Sequence, residues 1–119
     1  MTWRGLATTE LANDHILLSL LERIRSTLDP ERVYLFGSRA RGQATPDSDY
    51  DFLVVVPHSE KPRYQRDQEA YLALCGSGAA KDIIVLTRAE FESSRRAASS
   101  LTSAVLSEGI LLHESGNAS

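Results

Sequence analysis

The sequence predicts a small α/β domain of the α+β kind, a mixed sheet flanked by helices, and three observations carry that expectation. Three short runs rich in β-branched and aromatic residues, "RVYLF" (32–36), "YDFLVVV" (50–56) and "DIIVL" (82–86), each end at a glycine, a proline or a polar residue, as strands do. Segments with apolar residues at helical spacing alternate with them. The chain has 119 residues, which suits one domain with one core, expected over 1–114 with a disordered tail over 115–119.

From Thr8 to Leu28, Leu17, Leu21, Ile24 and Leu28 recur at helical spacing, and Asp29-Pro30 ends the helix because proline disfavours α geometry in the residue before it. The first strand stops at Gly37 and the second at Pro57. "RYQRDQEAYLAL" reads as an amphipathic helix largely in water, and "GSGAA" as a flexible turn before the third strand. Thr87-x-x-Glu90 is a capping box that starts a helix directly after that strand. "SSRRAASS" is a weakly patterned interruption. Leu101, Val105 and Glu108-Gly109 then mark a last helix with a glycine stop, "ILLH" a final short strand, and "ESGNAS" a disordered tail.

Composition narrows the function. With 42% hydrophobic and 24% charged residues the chain is an ordinary soluble globular protein, and its formal charge of −3 argues against coating nucleic acid, so no direct nucleic-acid contact is expected. A polyanionic ligand would need a local patch or metal ions. Cys75 is the only cysteine, which excludes an intrachain disulfide, indicates a reducing compartment, and reads most simply as a small buried apolar residue. The start "MTWRGLATTE" lacks the apolar stretch of a signal peptide, and no apolar run approaches the roughly 18 residues of a membrane span. A cytoplasmic location with no membrane contact is therefore expected. His15, His58 and His113 are dispersed without ligand spacing and read as structural or exposed.

The informative stretch is "LFGSRARGQATPDSDYDFLVVV" (35–56). Side chains alternate along a strand, so Asp49, Asp51, Leu53 and Val55 face one way while Tyr50, Phe52, Val54 and Val56 face the other. Asp49 and Asp51 then stand with Cβ atoms about 6 to 7 Å apart on one face. Unaccompanied carboxylates at that spacing would raise one another's pKa. Mg²⁺ removes the cost, because it takes oxygen ligands and combines one or two carboxylates with substrate phosphates. Asp82 heads the third strand in the same way, and three carboxylates on adjacent strands are enough for two metal ions flanking a phosphoryl displacement. Gly37 permits a tight turn whose backbone N–H groups approach a phosphate, and the Ser38 hydroxyl adds a donor. If "RARG" starts a short helix, its positive end would face the same anion, with Arg39 or Arg41 adding charge.

Each piece also has a plainer reading. A lone Gly-Ser after a strand is commonly a turn, as Gly76-Ser77 is read here; Asp47 and Asp49 could be turn formers around Pro46; Asp82 could be a strand-start residue; Arg39, Arg41, Arg95 and Arg96 could be solvated surface. The combination, in order along the chain, favours the nucleotide-site reading.

"GSRARGQATPDSDYDFLVVV" resembles the G-S, then D-x-D, signature of the DNA polymerase β-like nucleotidyltransferase superfamily, and the small size resembles its minimal nucleotidyltransferases (MNT). The likeness extends from the first helix through "VYLFGSRARG", "SDYDFLVVV" and "KDIIVLT" to "VLSEGILLHE", and implies the polymerase β-like nucleotidyltransferase fold. It makes Gly37 and Ser38 the triphosphate-binding turn and Asp49 and Asp51 the metal ligands. Asp82 matches the third carboxylate, a candidate for metal binding and for receiving the acceptor proton, and Arg41 the arginine after the turn. The implied reaction is attack of a hydroxyl on the α-phosphorus of a Mg²⁺-bound nucleoside triphosphate, with pyrophosphate leaving. Minimal members commonly pair with a small helical HEPN-domain toxin, and in some pairs AMP passes from ATP to a tyrosine of that toxin. The resemblance thus implies a protein adenylyltransferase acting as antitoxin. Two alternatives are a non-catalytic module that neutralises its partner by binding, and a small-molecule nucleotidyltransferase of the antibiotic-modifying type.

Overall fold

A computed structural model of the protein describes residues 13–76, 81–97 and 100–115. Its elements are α1 (His15–Leu28), β1 (Arg32–Phe36), β2 (Tyr50–Val56), α2 (Arg63–Ala73), β3 (Lys81–Thr87), α3 (Arg88–Arg95), α4 (Leu101–Glu108) and β4 (Ile110–Glu114). The fold is α+β, as the sequence predicts, with a four-stranded mixed sheet in the order β3-β2-β1-β4. β1 pairs antiparallel with both β2 and β4, whereas β2 and β3, joined through α2, are parallel.

Residue alternation along β2 divides the core in two. Tyr50, Phe52, Val54 and Val56 pack with Leu17, Leu20, Leu21 and Ile24 of α1 and with Ala70 and Leu74 on the side of α2. Leu53 and Val55 face the other way, toward Tyr34, Phe91 of α3 and Val105 of α4. The Tyr34 and Phe91 rings stack there with centroids 5.8 Å apart.

Local chemistry sets the element boundaries. The Asp14 carboxylate accepts from the Leu17 N–H at 3.0 Å, which starts α1 at His15 rather than at the Thr8 expected from periodicity; residues 8–12 of that expectation lie outside the described residues. Asp29 ends α1 in the left-handed region, at φ 46°, just before the buried Pro30. The expected capping box is formed in full, with Thr87 and Glu90 bonding each other's backbone N–H groups. α3 runs on through Ser93, Ser94 and Arg95, so the interruption read in "SSRRAASS" is shorter than expected, and residues 98–99 lie outside the description. Gly109 donates its N–H to the Val105 carbonyl at 2.7 Å and comes so close that a Cβ there would sit 2.5 Å from the same oxygen. The final strand runs one residue past the expected "ILLH" to Glu114, and the Ser115 N–H bonds the Glu31 carbonyl; residues 116–119 of the expected tail lie outside the described residues.

Cys75 is exposed, which corrects the expectation of a buried thiol: Leu74, fully buried, takes the core position at the end of α2. Most of the "GSGAA" turn, residues 77–80, lies outside the described residues. No described helix is long and apolar enough to cross a membrane.

Edge strand β3 is held by side chains of α2. Val85 donates its N–H to Asp67 at 2.7 Å, and its carbonyl accepts from Arg66 at 3.1 Å. Arg66 is 7% exposed and also grips Glu90 of α3 through two bonds of 2.7 and 2.9 Å. That guanidinium holds the Glu90 carboxyl down at about 2, against an ordinary value of 4.5, with further help from the Thr87 backbone. A carboxylate with a depressed folded pKa adds stability above its unfolded pKa and loses it as pH falls through the folded one. Glu90 is 43% exposed, so water screens the pair and Glu90→Gln should cost about 1 kcal/mol at neutral pH. In urea titrations the difference from wild type should disappear between about pH 4.5 and about pH 2.

Candidate active site

The head of β2, the head of β3 and the tail of β1 meet at one end of the sheet. Phe36, the last residue of β1, pairs with Asp51, and Asp51 pairs in turn with Asp82 of the parallel neighbour β3. Neighbouring strands lie about 4.8 Å apart, and paired residues of a parallel ladder point to the same face, so Asp51 and Asp82 are side by side. Asp49 lies in the connection, one residue ahead of β2, and like Asp82 it is exposed, while Asp51 is half-buried.

The chain turns sharply beside Asp51. Gly37 adopts φ +77°, and a Cβ on it would lie 2.2 Å from Asp51 Oδ2. Only glycine satisfies both the backbone angle and the contact. The Gly37 carbonyl accepts from the Ala40 and Arg41 N–H groups at 3.1 and 3.2 Å, and the carbonyl of Ser38, itself half-buried, accepts from Gln43 at 2.9 Å. The segment after Ser38 is therefore a tight turn closed on Gly37, and the short helix considered for "RARG" is not formed.

Electrostatics mark Asp51. Its pKa is raised by partial burial first, then by the charges of Asp49 and Asp82, and is lowered by Arg41. Arg41 is exposed, with its Nε 3.3 Å from Gln43 Oε1. The sheet end thus brings Gly37, Arg41, Asp49, Asp51 and Asp82 into one electrostatic neighbourhood, with Ser38 in the adjoining turn. Three hard oxygen donors carrying excess negative charge are the chemistry a divalent cation matches. Among the described residues no three His, Cys, Asp or Glu side chains are gathered as a ready ligand set.

Sequence reasoning missed what lies behind Asp49. Arg39 is half-buried rather than solvated surface: its Nε and Nη2 donate to the Ser48 carbonyl at 3.1 and 2.8 Å, and its guanidinium lies over the Tyr50 ring, 3.9 Å from the centroid. Tyr50 in turn donates its hydroxyl to Asp14 at 2.8 Å. Burial and the bond to Asp14 push the Tyr50 phenol up to about 12. The one available signal was the aromatic residue between the two aspartates.

A cavity of about 380 Å³, lined among others by Thr27, Asp29, Pro57, His58, Lys61, Arg66 and Glu69, lies at the opposite end of β2 from the carboxylates.

The family model for the nucleotidyltransferase domain matches residues 17–112. The chain belongs to that family. Among solved structures, the nucleotidyltransferase domain described here is similar to a protein of Sulfolobus solfataricus assigned as a nucleotidyltransferase: identity is 25%, with 93% of this chain and 90% of that one covered and a TM-score of 0.59. It also shares its fold with a mutant of the MntA-HpeT toxin-antitoxin, at 19% identity and a TM-score of 0.53, with 83% of this chain and 73% of that one covered. No curated protein matches the sequence.

Two outcomes follow for stability. Gly37→Ala should cost about 2 kcal/mol in urea denaturation through strain at positive φ and the clash with Asp51. Adding Asp51→Ala should recover about 1 kcal/mol by removing the clash, and strictly additive effects would contradict the contact. Because the folded state raises the Asp51 pKa, its charge opposes folding as pH rises through that pKa. Asp51→Asn should therefore increase the urea midpoint at neutral pH, with the gain vanishing in acid.

Proposed function

We propose that this nucleotidyltransferase domain moves a nucleoside monophosphate, AMP from ATP, onto a hydroxyl of a partner protein, as the antitoxin of a HEPN/MNT toxin-antitoxin pair. The observation that carries the reading is the pairing of Asp51 with Asp82, with Gly37 pressed against Asp51. In this reading Gly37 and Ser38 receive the triphosphate through turn backbone and hydroxyl, and Arg41 adds positive charge. Asp49, Asp51 and Asp82 would hold Mg²⁺, two ions in the full set, whose contribution is to neutralise charge on the phosphate oxygens.

In this reading Asp82, exposed at the strand head, takes the proton of the acceptor hydroxyl. The acceptor oxygen forms a bond to the α-phosphorus while the bond from that phosphorus to the β-bridging oxygen breaks, and pyrophosphate leaves. The protein's work is orientation and charge, since phosphoryl transfer asks for little covalent chemistry.

A protein acceptor is supported by the openness of the carboxylate end, where Asp49 and Asp82 are exposed and the 380 Å³ cavity is remote. α2 adds an apolar stripe, with Tyr64, Tyr71 and Leu72 exposed at 73%, 46% and 59%. Its last turn lies toward the carboxylate end of the sheet but on the opposite face, because Lys81 at the head of β3 lies over the Tyr71 ring while Asp82, the next residue, points the other way. The fold shared with MntA-HpeT supports a toxin as that partner.

The test mixes the protein, Mg²⁺ and a HEPN-domain protein from the same genome with ATP labelled at either the α or the γ phosphate. Label from the α position alone should appear on the partner, and Asp49→Asn should reduce it about 100-fold while preserving the thermal transition. A stable complex without label from either position would overturn the transferase reading and leave neutralisation by binding.

A further inference from the structure

Asp49 has no strand to hold it: it lies in the connection between β1 and β2, where residues 41–47 are all exposed. Ahead of it, Thr45 and Ser48 close a turn on themselves, with the Ser48 N–H donating to the Thr45 carbonyl at 3.0 Å and the Thr45 N–H to the Ser48 hydroxyl at 2.9 Å. Such a turn is locally ordered but free to pivot unless something ties it to the body. Arg39 supplies a tie. Its Nε and Nη2 converge on the Ser48 carbonyl at 3.1 and 2.8 Å, and Nη2 also reaches the Thr45 carbonyl at 3.4 Å.

The same guanidinium rests 3.9 Å from the Tyr50 ring centroid, so it touches the residue before Asp49 and the residue after it. The ring is a fixed platform: Tyr50 is 4% exposed, and its hydroxyl bonds both oxygens of Asp14, at 2.8 and 3.1 Å, while Asp14 caps α1. Arg39 also follows Ser38 directly in sequence, so one side chain joins the Gly37-Ser38 turn to the loop that carries Asp49.

We propose that Arg39 is a positioning residue for nucleotidyl transfer, fixing Asp49 relative to Asp51 and the Gly37-Ser38 turn; this rests on the transferase reading above. The donors of Arg39 that face the loop are engaged with backbone carbonyls, so its contribution is the planar fork and the stacked face rather than its charge. A lysine carries the charge but neither the fork nor the face.

The experiment uses the full chain as wild type, Arg39→Lys and Arg39→Ala, with two measurements. Backbone amide hydrogen exchange over residues 44–49, followed by mass spectrometry without nucleotide, should quicken about tenfold in both variants. In the α-labelled transfer assay both should lose kcat by about 10- to 100-fold, with the KM for ATP within about threefold of wild type, because a misplaced group costs turnover. Arg39→Lys transferring at the wild-type rate, a KM rise without loss of kcat, or unchanged exchange would each overturn the positioning role. Wild type that transfers no label overturns the transferase reading instead, and the exchange data then still decide whether Arg39 holds the loop.

Discussion

Three carboxylates held at one end of a four-stranded sheet against their mutual repulsion are the constraint around which this domain is arranged. Like charges on neighbouring strands oppose folding, and partial burial of Asp51 adds to that cost. The remainder of the chain must exceed it. Two apolar layers do so, one under α1 and α2 and one under α3 and α4, with every β2 residue except Asp51 buried. The strand that brings the charges together is thus also the one most deeply embedded in the core, and the repulsion is confined to its first turn of pleat.

The parallel arrangement of β2 and β3 is what aligns Asp51 with Asp82, and it leaves β3 at the sheet edge, where backbone groups need other partners. α2, the crossover that makes the pairing parallel, supplies them: Arg66 and Asp67 serve the two backbone groups of Val85, and Arg66 ties the same strand to α3 through Glu90. Arg66 and its partners lie toward the far end of β3, so the carboxylate end is left open while the strand bearing Asp82 remains anchored.

Much of this was legible in the sequence because it is local. The alternation in "YDFLVVV", the Thr87-x-x-Glu90 box and the Glu108-Gly109 stop each predict their element from neighbouring residues, and each element forms. Gly37, Asp49, Asp51 and Asp82 stand out in the sequence as candidates, since a glycine at a strand end and acidic residues at or just before strand heads contradict the surrounding apolar pattern, and the fold brings Gly37, Asp51 and Asp82 to one end of the sheet. What escaped reading depends on contacts distant in sequence. Arg39 looks like solvent-facing charge until the ring of Tyr50 is placed beneath it, and Tyr50 looks like core until Asp14, thirty-six positions away, accepts its hydroxyl. Cys75 was misread because composition gives only a preference, and Leu74 had already filled the buried site next to it.

The contact between Gly37 and Asp51 carries a consequence for how such a chain drifts over generations. Each residue restricts what the other can become: while a carboxylate stands at 51, a side chain at 37 has no space, and once that carboxylate is lost the obstruction goes with it. A lineage that lost the carboxylate would therefore lift one of the two constraints on position 37, while the positive φ of the turn would go on favouring glycine there. Glycine at 37 thus outlasts the aspartate it touches, and its retention alone does not record whether the charged sheet end was kept in use.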